Sequence, residues 1–103
     1  MIRIGDKRYE VTLEKHGSKT MGSSGEASHF YQQIRLDIDE RRLDGIEGDL
    51  WHEIMEMINA EYGLKLEHQT ITVLASAVHQ VLLDNAGYFS DFKEIINKER
   101  KVI

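Results

Sequence analysis

The stretch Ile34-Arg35-Leu36-Asp37-Ile38-Asp39 alternates apolar and polar side chains. Residues that alternate in this way line opposite faces of a β-strand, so this segment reads as a strand with one buried face. The period then changes. Ile46, Leu50, Ile54, Met57 and Ile58 recur at helical spacing up to Gly63, a residue suited to closing a helix, and a first helix is predicted over about residues 46 to 62. Working outward, Ile2 and Ile4, then Tyr9, Val11 and Leu13, repeat the period-two pattern, which predicts a small antiparallel sheet in the first forty residues. His16-Gly17-Ser18 and Met21-Gly22-Ser23-Ser24-Gly25-Glu26 have the glycine and serine density of turns or a mobile loop. Downstream, Ile71, Leu74, Ala75, Val78 and Leu82 form the apolar stripe of a second helix over about residues 69 to 84, ended by Asn85 to Gly87. Phe89, Phe92, Ile95 and Ile96 predict a short amphipathic third helix with a charged tail. The expected fold is one α+β domain spanning 1–103: a small antiparallel sheet, a helix bearing the functional side chains, and a packed helical hairpin.

Composition narrows the function. The chain has 103 residues, 41% hydrophobic and 30% charged, which suits a single modest core and excludes multi-lobed machinery. Its formal charge of -5 argues against a nucleic-acid binder that works through phosphate contacts, since Arg41-Arg42 and Lys98 to Lys101 are its best basic clusters and both are flanked by acids. A nucleic-acid mimic is disfavoured as well, because acids and bases are interspersed. With no cysteine, the chain can form neither disulfides nor thiolate metal sites, so a metal would be held by nitrogen and oxygen. The start lacks the apolar run of a signal peptide and no segment reaches membrane-spanning length, so a cytoplasmic location is expected.

His52 and Glu56 stand four residues apart on the first predicted helix, hence one above the other on one face. That face lies nearly opposite Leu50, Ile54 and Met57, so it meets water or a cleft. Glu53 is rotated about a quarter turn from His52, where a carboxylate can reach a water activated by an ion without being a ligand itself. A third ligand is expected from His68, at the start of the second helix, if the connection Glu61 to Glu67 turns that helix back along the first. Glu67 and His79 are reserves, although His79 lies about 16 Å further along the helix axis than His68 and one ion cannot take both. Two imidazoles and a carboxylate suit zinc, and also iron or manganese with open positions. The strand Gln32 to Asp39 is expected to act as an edge that pairs with an extended peptide, with His29 and Tyr31 near enough in sequence to stabilise an oxyanion. His16 and His29 otherwise read as exposed loop residues, and His79 as a partly buried helix histidine. Trp51, Met55 and Tyr62 read as core or interface.

The run Ile34 to Asp39 followed by Leu50-Trp51-His52-Glu53-Ile54-Met55-Glu56-Met57-Ile58-Asn59 resembles the strand and active-site helix of the minimal zincin-like metallopeptidases of phages and prophages. Leu66-Glu67-His68-Gln69-Thr70-Ile71 and Leu74 to Asn85 resemble the second helix of such proteins, so the likeness covers about residues 30 to 86. The resemblance implies a zinc-dependent hydrolase, a peptidase acting on a peptide or protein substrate, with His52, Glu56 and His68 as metal ligands and Glu53 as general base. The chain departs from the family pattern at Glu56, where histidine is usual. That change adds a negative charge, removes an imidazole and makes the ion a weaker Lewis acid. It motivates a second expectation from another class: a non-catalytic binding protein of a phage or mobile element whose metal site is structural or vestigial.

Overall fold

The computed structural model describes residues 1–15 and 21–101. His16, expected in an exposed loop, lies outside them. Strands β1 (Ile2–Ile4), β2 (Lys7–Glu14), β3 (Gly25–Ser28) and β4 (Gln33–Asp37) precede helices α1 (Leu43–Tyr62), α2 (His68–Asp84) and α3 (Ala86–Lys101). The order across the sheet is β1-β2-β4-β3. The β1–β2 and β3–β4 pairs are antiparallel, whereas β2 and β4 run parallel in the register Val11 to Ile34 and Leu13 to Leu36. The sheet is therefore mixed rather than antiparallel. Alternation tells which side chains face inward but not the direction of a neighbour, and here the chain crosses to the far edge before β3 leads back into β4.

Two consequences bear on the site. Gln33–Asp37 is an interior strand, not the expected edge, because β3 covers its outer side. Among the described residues, the free edge beside α1 belongs instead to Gly25–Ser28, whose first two residues had read as loop. Strand pairing there rests on backbone hydrogen bonds, so composition conceals it.

One layer of helix covers one face of the sheet. Ile4, Tyr9, Ile34 and Leu36 from the strands meet Ile54 and Met57 from α1 in the core, with Val11, Leu50, Trp51 and Ile58 packed around them. Trp51 thus joins the core margin, while Tyr62 is exposed. The opposite sheet face is charged, and Arg35 spans it by bonding Glu14 through two nitrogens and Glu26 through a third contact of 2.6 Å. Such alternation along β4, with Ile34 and Leu36 inward and Arg35 outward, is what the sequence pattern required.

Helix α1 begins three residues earlier than expected and ends as expected. Gly63 adopts a left-handed conformation, φ 59°, and its N–H returns to the Asn59 carbonyl. The Asn59 side chain then accepts the Leu66 N–H at 2.8 Å. One residue therefore both closes α1 and ties down the connection to α2. The two helices pack as a hairpin, with Ile71 and Ala75 of α2 buried. Helix α3 is longer than expected: the charged tail up to Lys101 is helical, and none of its residues is buried. Among the described residues no helix is long and apolar enough to cross a membrane.

Candidate metal centre

Helical spacing alone puts His52 and Glu56 together, with Nε2 and Oε1 3.5 Å apart. The α1–α2 hairpin adds the third residue. Tied by Asn59, the connection delivers His68 at the first position of α2, where its Nδ1 lies 3.1 Å from the same Glu56 oxygen. The His52 and His68 rings meet edge to face, with centroids 4.9 Å apart. One ligand atom from each of the three residues lies within 4.8 Å of the others.

The two separations that involve Glu56 suit a small divalent ion. Zinc bonds of 2.0–2.1 Å in tetrahedral directions place neighbouring ligand atoms about 3.3 Å apart. The observed 3.1 and 3.5 Å fall on either side of that value. The same distances also suit a hydrogen bond from the His68 imidazole to Glu56 when no ion is bound. His52 and Glu56 are half-buried, whereas the His68 side chain is 77% exposed, so the group is closed on the protein side and open towards solvent.

Glu53 belongs to the same turn of α1 but not to the ligand group. The edge strand passes over it: a Cβ built on Gly25 would lie 3.6 Å from Glu53 Cγ and 3.3 Å from Leu36 Cδ2. Burial, chiefly, pushes the Glu53 carboxyl up to about 7, with the negative charges of Glu56, Asp49 and Glu26 acting in the same sense and His68 opposing them. Asp49, Glu53 and Glu56 follow one another at helical spacing, and Glu26, held by Arg35 on the other face of the sheet, adds its negative charge through β3. Cationic charge placed among them would relieve their mutual repulsion.

Other expected participants are engaged elsewhere. His79 pairs with Glu47 at 3.1 Å towards the other end of the hairpin, as a mostly buried helix histidine. Glu67 caps the start of α2 through its extended backbone and stays exposed. The carboxylate of Glu61, at the end of α1, accepts from His29 Nε2 and from Lys7 Nζ, both at 2.9 Å. His29 is thereby committed to a contact that staples the β3–β4 turn and the β1–β2 turn to α1. Tyr31 is exposed and packs edge-on against Phe30. Neither residue is part of the group around Glu56, so the oxyanion role expected of them has no support in this arrangement.

Sequence reasoning missed Asn59, whose side chain fixes where His68 lands. Its signal was available: an asparagine in the last turn of a helix, four residues before a glycine, is a candidate for binding the backbone that follows. It also read Gly25 as part of a loop, whereas it opens β3, where an added Cβ would stand 3.3 Å from Leu36 Cδ2, tighter than ordinary contact. Compared with known proteins, the chain matches no family profile, no curated protein and no solved structure.

Proposed function

We propose that the protein is a divalent-metal-dependent hydrolase of the zincin type, acting on peptide bonds, with His52, Glu56 and His68 as the ligands of zinc or a similar transition metal. The observation that carries this reading is the arrival of His68, twelve residues away in sequence, at 3.1 Å from Glu56. Two imidazoles and one carboxylate with an open fourth position make a donor set used for catalysis, whereas closed structural sites have four protein ligands. When bound, the ion supplies Lewis acidity to a substrate carbonyl and makes water more acidic.

The chain's own residues do the rest. Glu53, beside the ligands and beneath β3, takes the proton of the attacking water on a carboxylate oxygen and returns it to the leaving amine. The free edge of β3, which runs over Glu53, aligns an extended peptide by main-chain pairing, the role first expected of β4. Glu56 contributes negative charge, which holds the cation while moderating its acidity.

The test is hydrolysis of a mixed-sequence peptide library by protein reconstituted with zinc. Cleavage is expected, and Glu53→Gln should lower its rate by roughly 100-fold or more while leaving zinc stoichiometry unchanged. Zinc binding without any cleavage would favour the non-catalytic reading, in which the metal orders a binding surface, and cleavage indifferent to Glu53→Gln would remove Glu53 from the reaction.

A further inference from the structure

Helix α3 has no core of its own. None of its side chains is buried; Tyr88, Phe89 and Phe92 are about half exposed, and Ile95 and Ile96 only partly covered. Only Asn85 separates it from α2, and it continues away from the body with little packing against α2. The radius of gyration is 16.4 Å and the longest extent 58 Å, against about 13 Å for the radius of a compact chain of this length. An isolated helix of this size is marginal in water, so its apolar stripe needs a surface to cover it.

A surface of matching length and character lies on the outer face of α2. Val73, Leu74 and Val81 are exposed there. A depression of about 280 Å³ is lined wholly by Ala77, Val78, Val81 and Leu82. A second, of about 320 Å³, lies nearer the start of the helix between Glu67, Thr70 and Leu74. Because α3 leads away from α2 in its own chain, the copy that can cover this face with α3 is another molecule.

We infer that two copies associate about a twofold axis near Asn85, α3 of each lying antiparallel on α2 of the other. Positions equidistant from Asn85 then face one another. The partner's Phe89 and Phe92 come opposite Val81 and Val78 and fill the first depression, while the partner's Ile96 comes opposite Leu74 at the second. Charge favours the same register. Helix α3 carries four basic and three acidic residues against nine and fifteen on the rest of the chain, and its basic end, Lys98 to Lys101, is brought towards Glu67. The half-exposed aromatic and aliphatic side chains offer roughly 600 Å² per copy, somewhat below the ~800 Å² per partner of a standard interface. The dimer is accordingly reversible.

The chain has no cysteine, so introduced thiols report on single positions. Ala77→Cys and Lys93→Cys proteins, equidistant from Asn85, are mixed and oxidised. A cross-linked species of twice 11.9 kDa is expected from the mixture and not from either protein alone, since like positions would be about 24 Å apart along the helices. Sedimentation of the unmodified chain should show a dimer that dissociates on dilution, and Phe92→Glu or Val81→Glu should each give a monomer with its far-ultraviolet circular dichroism retained. These two side chains lie outside the core, so a loss of association reports on the interface. A monomer at every concentration, a dimer unchanged by both substitutions, or a cross-link formed equally by one protein alone would overturn the inference.

Discussion

The Oε1 atom of Glu56 lies 3.1 Å from His68 Nδ1 and 3.5 Å from His52 Nε2, so one carboxylate oxygen joins two helices. Because this oxygen is the shared point of the group, its chemistry would set how tightly and how reactively the proposed ion is held. Glu56→His should still bind one zinc, since an imidazole reaches the same region from the same turn. It removes a negative charge, makes the ion a stronger Lewis acid and should raise peptide hydrolysis. Zinc stoichiometry and cleavage rate, measured side by side, check both statements; loss of zinc would show that the site requires the carboxylate.

Asn59 governs where His68 stands without touching it. Its side chain holds the Leu66 N–H at 2.8 Å, two residues before His68. Asn59→Ala should cost about 1 kcal/mol of stability, the usual worth of one such bond. Since the connection is then less well fixed, zinc affinity should also fall by on the order of 10-fold, as it does when groups that orient ligands are removed. Urea unfolding and competition with a chromophoric chelator separate the two effects.

The parts of this arrangement that depend on local periodicity were legible in the sequence. The helical span through Gly63, the buried pair Ile34 and Leu36, and the stacking of His52 on Glu56 all follow from side-chain spacing. The parts that depend on chain direction and on small residues were not. Nothing in Gly25-Glu26-Ala27-Ser28 marks an edge strand, because its pairing with β4 uses backbone atoms common to all residues. The parallel pairing of β2 with β4 was hidden for the same reason. His68 was legible as a candidate, but its approach depends on the bend of the connection, which is set by Gly63 and Asn59 together. His29 shows the opposite failure: a histidine close to the site in sequence is bound to Glu61 instead.

The turn between β1 and β2 is a sensitive point. Gly5 has φ 63°, a left-handed conformation, and a Cβ there would stand 2.9 Å from Glu61 Cγ. Gly5→Ala combines backbone strain with a clash against a side chain that is itself held by Lys7 and His29. A loss of about 1–3 kcal/mol is expected in urea unfolding.

The same Glu61 sets an acid limit to stability. Hydrogen bonds from His29 first, then Lys7, lower its carboxyl from the ordinary 4.5 to about 2. A carboxyl with a depressed value in the folded state stabilises fully above its unfolded value, and the contribution disappears as pH falls through the folded one. Unfolding midpoints should therefore decline between about pH 4.5 and pH 2, and Glu61→Gln should flatten that decline. Lys7 is raised by its bond to Glu61, so its share persists below 10.5 and is lost only at higher pH. An acid limb unchanged by Glu61→Gln would place the acid sensitivity elsewhere.

Zinc titration of metal-stripped protein, followed by calorimetry, tests the central claim most directly. The wild-type chain should take up one zinc per molecule, His52→Ala and His68→Ala should each abolish stoichiometric binding, and His79→Ala should leave it intact. A wild-type chain that takes up no zinc, or one whose uptake survives His68→Ala unchanged, would contradict a metal centre built from His52, Glu56 and His68.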